Sequence, residues 1–370
     1  MPCITRIETF TSTEPEPRLS LCRVCTDDGH EGFGQLAWKN ADIAAAVLHR
    51  QVAPHALGRE PGELAAILQD VVDREAKFQG TYLCRAMAGL DTAVWDVLGK
   101  QQGMSVCELL GGTARPLAVY GSSMQRATTP EQEVRMLAEA RERHGYAAFK
   151  IKIGKRRGHD ADEWPGRTEQ LVAEARRTLG DDVTLLADAN SCYSPGRAIE
   201  VGRLLEDHGY AWFEEPCPHL ELEQTAEVAA ALDIDVAGGE QDWDLSQFRR
   251  MIAMDAVDVV QFDIGYVGGI TRARQVATMA KAAGKRCCPH SANCTLLLPF
   301  TVHLFAALDN TTPYVEHNVR HRPDDVGLFS PPLEVRHGRI DLPPGPGWGV
   351  TVNPDWLAGA RRQVSVAPRR

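Results

Sequence analysis

Three acidic residues each close a short apolar run with β-strand character: Val183-Thr-Leu-Leu-Ala-Asp188, Tyr210-Ala-Trp-Phe-Glu214 and Ile234-Asp-Val-Ala-Gly-Gly-Glu240. Their spacings are equal, 214 − 188 = 26 and 240 − 214 = 26. One strand, one helix and two short loops take up about that length, so the three carboxylates fall at the same end of successive βα units. In a closed parallel barrel the C-terminal strand ends carry the chemistry. Three carboxylates converging there repel one another unless a hard cation such as Mg²⁺ joins them.

Other groups sit at equivalent strand ends. In Phe149-Lys150-Ile151-Lys152-Ile153, positions i and i+2 share a face, so Lys150 and Lys152 point together into the barrel. Burial and mutual repulsion are expected to lower a lysine pKa there, as a general base requires. Asp188-Ala-Asn190 repeats the i, i+2 geometry and brings Asn190 to metal-bound water or substrate. In Glu214-Glu215-Pro216, Glu214 keeps the 26-residue register and Glu215 falls behind it. Asp263 and His290 end two adjacent runs at the same depth, an acid–base pair in which the carboxylate orients the imidazole and raises its pKa. Glu316 ends the last run and would hydrogen-bond substrate if protonated. His303 and His317 read as packing or surface residues, and Cys22-Arg-Val-Cys25 lacks the second pair a zinc site needs.

These residues need a scaffold. The chain has 370 residues, 44% apolar and 24% charged, an ordinary globular composition. Residues 1–36 alternate in hydrophobicity around Asp27-Asp28-Gly29, predicting a three-stranded antiparallel meander, followed by helices near 41–53, 61–76 and 83–100. From about 117 the pattern becomes strict βα alternation, with strand runs near 117–121, 147–153, 183–188, 210–215, 234–240, 257–263, 285–290 and 313–316. Thr129-Pro130-Glu131-Gln132 is a capping box, and Gly145, Gly180, Gly209 and Gly284 stand where helices should stop. The fold class is therefore α/β: a modified TIM barrel of (β/α)₇β type with an N-terminal α+β capping domain. An open doubly wound sheet has no support, since no Gly-x-Gly-x-x-Gly turn follows any strand. The expected division is a cap over 1–115, the barrel over 116–330, and a Pro/Gly-rich segment over 331–370 that holds one short strand, Leu333–Ile340, and packs back on the cap.

The net charge of −10 and pI near 5.7 argue against nucleic acid and anionic membranes as partners. No apolar run approaches a membrane span, and Met1 to Arg18 holds no signal-peptide core, so a cytoplasmic location is expected.

Lys-x-Lys, Asp-x-Asn, Glu-Glu-Pro, Gly-Glu, Asp and His at successive strand ends resembles the enolase superfamily, and within it the mandelate racemase subgroup. The resemblance implies that Asp188, Glu214 and Glu240 bind Mg²⁺. Lys152 is then the base on one face of the substrate carbon, and His290, tuned by Asp263, the acid or base on the other. Lys150 neutralises the substrate carboxylate and Glu316 hydrogen-bonds it. The muconate-lactonizing-like and dipeptide-epimerase-like branches usually carry Lys where this chain has Asp263, which disfavours them. The loop 154–165 after the second barrel strand is long for the pattern, and the Glu316 connection varies within the family.

The resemblance also implies the chemistry. Removing the proton α to a carboxylate gives an enediolate, whose charge must be strongly stabilised. If His290 protonates a β-hydroxyl, an acid sugar becomes a 2-keto-3-deoxy acid. Return of a proton to the α-carbon gives racemisation or epimerisation, and departure of a ring oxygen gives a cycloisomer. Dehydration is the favoured expectation. The partner is then a small-molecule carboxylate, and a homo-oligomer is expected. Specificity is assigned to cap loops near Thr11–Arg18 and Leu36–Lys39, with Trp38 a candidate pocket wall, and Ser123 and Gln125 candidates for sugar hydroxyls. Two readings of other classes are a metal-free Schiff-base lyase using Lys152 and a non-catalytic barrel. The registered carboxylates count against the first and the complete residue set against the second.

Overall fold

The computed structural model describes residues 2–13, 18–36, 38–320 and 327–368. The predicted meander forms from β1 (Ile4–Thr11), β2 (Ser20–Thr26) and β3 (Glu31–Gln35), antiparallel in that order. One face of it packs on the long helix Thr81–Gln102, whose Leu83, Met87, Leu90, Val94 and Val97 are buried with Ile4, Ile7, Cys22 and Val24 in one core. Gly32 and Gly34 allow this approach, because a Cβ at either would stand within 2.6 Å of that helix's backbone.

Eight parallel strands follow: β4 (Leu117–Ser122), β5 (Ala148–Lys152), β6 (Thr184–Asp188), β7 (Trp212–Glu214), β8 (Asp235–Gly238), β9 (Val259–Val260), β10 (Arg286–Cys287) and β11 (Val315–Asn318). Each pairs with its successor from β4 to β10, β11 pairs with β4, and a bridge from Cys287 to Thr311, just before β11, closes the ring. One main helix fills each of the seven gaps between the eight strands: Pro130–His144, Arg167–Leu179, Pro195–Asp207, Leu222–Ala231, Leu245–Ala253, Ile270–Ala282 and Leu297–Ala307, with a single extra turn, Ile264–Val267, after β9. This is the (β/α)₇β architecture. Tyr120, Ala148, Leu186, Trp212, Ala237, Val259 and Cys288 fill the barrel interior below the site, while Phe149, Ile151 and Ile153 face the helical layer. Thr129 Oγ1 accepts from the Gln132 amide and Gln132 Oε1 from the Thr129 amide, closing the expected capping box. Gly145, Gly180, Gly209 and Gly284 all adopt positive φ at helix ends.

The C-terminal segment departs from expectation in three respects. Leu333–Ile340 is not one strand: β13 (Val335–Arg336) and β14 (Arg339–Ile340) form a hairpin turning at His337 (φ 51°) and Gly338 (φ 70°), and β14 pairs with barrel strand β4. The final strand, β16 (Arg361–Val366), was not anticipated and extends the meander by pairing with β1. Its side chains are mostly exposed, so it lacks the alternation that marks a half-buried strand. Between them, the Trp348 side chain is buried and its indole Nε1 donates to the Thr92 carbonyl. A second short pair, β12 (Phe329–Ser330) with β15 (Thr351–Val352), completes the segment.

Asp91 on the long cap helix is fully buried and accepts from the Ile270 amide at 2.5 Å and the Thr271 amide at 3.3 Å, capping a barrel helix from another part of the chain. Asp91→Ala leaves these amides unpaired in a dry contact and is expected to cost about 2–3 kcal/mol. A denaturation midpoint unchanged from the parent protein would refute that role.

All ten cysteines are free, and all but Cys3 are buried. No described helix is long and apolar enough to cross a membrane.

Candidate active site

Asp188 is the last residue of β6 and Glu214 the last of β7, and the two are paired neighbours in the ladder. Glu240 follows β8 after Gly239, whose φ of 114° only glycine adopts without strain. Each of the three offers a carboxylate oxygen within 4.8 Å of the others, and all are buried. The donor set is all oxygen and anionic, which suits a hard divalent cation and not a thiolate- or imidazole-seeking metal. Glu240 Oε2 is buried and makes no hydrogen bond, with His290 Nε2 3.2 Å away as its charged neighbour.

The surrounding charges are arranged in pairs. Lys150 Nζ lies 2.6 and 2.8 Å from the two Glu214 oxygens and 3.0 Å from Glu316 Oε1. Lys152 Nζ donates to Asp188 Oδ2 and lies 3.5 Å from Asn190 Oδ1. Burial opposes the charge on Lys150, but the Glu214 and Glu316 carboxylates outweigh it and hold its pKa well above the usual lysine range. The expected lowering therefore does not apply to Lys150, because its anionic neighbours lie closer than the sequence could reveal. Burial, then repulsion from Asp188, Glu240 and Glu316, pushes Glu214 up to about 8 against the pull of Lys150. Asp188 is driven the other way: burial opposes ionisation, yet Lys152, Lys150 and Arg126 hold it well below the carboxylate range.

Across the barrel mouth, His290 Nδ1 is 2.7 Å from Asp263 Oδ2, and its Nε2 is 3.2 Å from Glu240 Oε2. Asp263 is itself fixed by the Gly265 amide at 2.7 Å. Burial disfavours the imidazolium, but Glu240, Glu316 and the bond to Asp263 overcome it and raise His290 to about 10. Glu316 accepts from the Ser291 amide at 2.9 Å. Burial would raise its pKa, but Lys150, His290 and Lys152 lower it to about 2. The condition set for Glu316, protonation, is therefore disfavoured by its cationic neighbours.

A cavity of about 560 Å³ opens above this floor, lined by Lys152, Asn190, Glu240 and His290 below and by Trp38 and other cap residues above. Ser123 is buried with an unpartnered hydroxyl and Gln125 is exposed, and neither lines this cavity. Residues 14–17 and 37 of the two expected cap loops lie outside the described residues.

Sequence reasoning missed several neighbours. Gln261 Nε2 donates to Glu214 Oε2 at 2.8 Å. It stands two residues before Asp263 on the same run, a spacing that could have revealed it. Arg126 donates to the carbonyls of Ile153, Gly154 and Asp188 and ties three strand ends together. Arg85 and Tyr266 meet across the cap and barrel with the guanidinium 3.9 Å from the ring centre, a pairing with no local signal.

Comparison with known proteins agrees with this architecture. Residues 132–356 match the enolase C-terminal domain-like family model, and residues 4–111 match the N-terminal domain of the mandelate racemase/muconate lactonizing enzyme family. Among characterised relatives, an arabinonate dehydratase of Saccharolobus solfataricus is 30% identical over 88% of this chain and 86% of its own. A D-galactarolactone cycloisomerase of Agrobacterium fabrum is also 30% identical, over 92% and 90%. Among solved structures, a proposed racemase from Roseobacter denitrificans is 50% identical with a TM-score of 0.95, covering 98% of this chain and 100% of its own. A mandelate racemase/muconate lactonizing protein from Paracoccus denitrificans, solved in complex with magnesium, is 33% identical with a TM-score of 0.91 over the whole of both chains. Strand-end chemistry, barrel, cap and both domain matches agree, and the chain belongs to the mandelate racemase/muconate lactonizing enzyme family of the enolase superfamily.

Proposed function

We propose that this protein is a Mg²⁺-dependent hydro-lyase that removes the proton α to the carboxylate of an acid sugar and expels the β-hydroxyl, giving a 2-keto-3-deoxy acid. The observation that carries this reading is the trio of buried carboxylates within 4.8 Å of one another, between Lys152 on one side and the Asp263–His290 pair on the other. Asp188, Glu214 and Glu240 would hold the cation, as their oxygen-only set and the magnesium complex of the Paracoccus relative support. Bound there, Mg²⁺ would supply positive charge against the developing enediolate.

The remaining roles fall to side chains. Lys152 Nζ, as the neutral amine, takes the α-proton and becomes the ammonium, and the C–H electron pair moves into the carboxylate π-system. Lys150, held cationic, neutralises the substrate carboxylate. His290 donates its Nε2 proton to the β-hydroxyl as the Cβ–O bond breaks, so water leaves and the enol tautomerises to the 2-keto acid. Asp263 holds Nδ1 and the imidazolium charge through that transfer. Asn190 and Glu316, nearest the floor, and Trp38 on the cavity wall are proposed for substrate binding; Ser123 and Gln125 stand outside the cavity and would need another approach to reach substrate. Asp263→Asn is expected to lower turnover by about 10²–10⁴-fold; a wild-type rate and pH profile would remove Asp263 from the acid.

Racemisation and lactone cycloisomerisation share the first step, and the Roseobacter and Agrobacterium relatives keep both in view. Proton NMR with Mg²⁺ in D₂O, across mono- and diacid sugars and their lactones, separates them. Loss of the α-proton signal with new 3-deoxy methylene signals is expected. Exchange with no new product means racemisation or epimerisation, a ring-opened product means cycloisomerisation, and no exchange with any acid overturns the reading. The division into a cap over 1–115, a barrel over 116–330 and a tail over 331–370, a homo-oligomeric state and a cytoplasmic location belong to the same proposal. Sedimentation tests the oligomer and fractionation the location.

A further inference from the structure

The floor of the cavity accounts for one carboxylate of the substrate; its outer wall carries charge that this chemistry leaves unused. Above Lys152, Glu240 and His290, the lining includes Arg18, Lys39, Arg85 and Arg156. Among the described residues, that wall has no acidic side chain, since Glu240 on the floor is the one acid lining the cavity. The four cations come from separate parts of the chain. Arg18 and Lys39 sit on two cap segments joined by a bond from the Lys39 amide to the Arg18 carbonyl at 2.8 Å. Arg85 rises from the first turns of the long cap helix. Arg156 comes from the long loop after β5 that the sequence singled out.

Arg85 is the best held. Its Nη1 donates to the Trp38 carbonyl at 3.1 Å, its Nε to Thr81 Oγ1 at 3.1 Å, and its guanidinium stacks on Tyr266 of the barrel. Cap and barrel thus clamp a cation on the cavity wall. Thr81 and Tyr82, in the first turn of that helix, line the same wall, and the helix start has no side-chain cap, so its positive end adds to the field. In a chain of net charge −10, this wall reverses the local sign. A neutral hydroxymethyl end of a monoacid would give Lys39, Arg85 and Arg156 no counter-charge among the described residues on closing out water. An anionic end would pair with them.

We infer that the substrate carries a second anionic group at the end remote from the reacting carboxylate, recognised by Arg85, Lys39 and Arg156. A carboxylate is the smallest such group, which makes a polyhydroxy diacid the expected substrate class. This rests on the proposed α-proton chemistry and deepens it by naming the class of acid.

The test compares three configurationally matched substrates with the Mg²⁺-loaded protein in D₂O: a six-carbon sugar diacid, the monoacid ending in hydroxymethyl, and that monoacid phosphorylated at its far end. The diacid is expected to show kcat/KM at least about 100-fold above the plain monoacid, falling steeply with added salt. Arg85→Gln, Lys39→Gln and Arg156→Gln are each expected to lower the diacid-to-monoacid ratio by about tenfold, mainly through KM. Arg156 and Lys39 are exposed, so their variants keep the test sound should Arg85→Gln disturb the cap. Preference for the phosphorylated acid over the diacid would retain the anion site and overturn the carboxylate. Equal kcat/KM for diacid and plain monoacid, or variants that leave the ratio unchanged, would overturn the inference while the α-proton chemistry stands. Exchange with none of the three, nor with any acid of the wider panel, would overturn both.

Discussion

Lys152→Ala is expected to reduce turnover by about 10³–10⁴-fold or more while leaving the fold intact. A positioned general base typically contributes about 10²–10⁴-fold, and the α-proton of a carboxylate is acidic enough to leave only with such help. Lys152 is nearly buried, its Nζ engages Asp188, and its backbone lies in the β5–β6 ladder. Alanine removes the ammonium without touching a strand hydrogen bond. It also leaves Asp188 with one fewer cation, so Mg²⁺ affinity should hold or rise. Loss of catalysis with retained metal binding is therefore the signature sought. His290→Asn tests the opposite side of the barrel mouth in the same way, since asparagine keeps a polar group beside Asp263 but cannot deliver a proton. Wild-type rates in both variants would rule out the two-sided scheme.

Glu214→Gln is expected to weaken Mg²⁺ binding by about 100-fold or more. Replacing one of three anionic ligands removes charge from the site, and changes even behind a metal's ligands typically cost about 10–100-fold. The amide keeps the shape, and its oxygen can still accept from Lys150 and Gln261, which now approach Glu214 at 2.6 and 2.8 Å. Folding should therefore survive. Metal titration by calorimetry reads the effect directly and needs no substrate. Unchanged affinity would take Glu214 out of the ligand set.

The residues at strand ends were legible because a parallel barrel converts regular spacing into convergence. Asp188, Glu214 and Glu240 recur every 26 residues, and the ladder Lys152↔Asp188↔Glu214 sets neighbouring strands in one register. Lys150 with Lys152, and Asp263 with His290, followed from the two-residue period of a strand and the order of strands. The meander and its helix were legible from alternation giving way to helical spacing. The exposed strand β16 was not, since neither of its faces is buried and it leaves no apolar pattern.

Protonation states were decided by the tertiary structure. The sequence put Lys150 and Glu316 near one another only in outline; the fold sets them 3.0 Å apart in a buried site, where each ionises the other. The outer cavity wall was decided there as well. Arg18, Lys39, Arg85 and Arg156 have no common spacing and no shared strand period, and only the docking of cap on barrel brings them to one wall. Local periodicity determines which residues share an element's face, so the catalytic floor could be read from the chain alone. Contacts between elements distant in sequence depend on packing, and these set the charges on the floor and the chemistry of the wall above it.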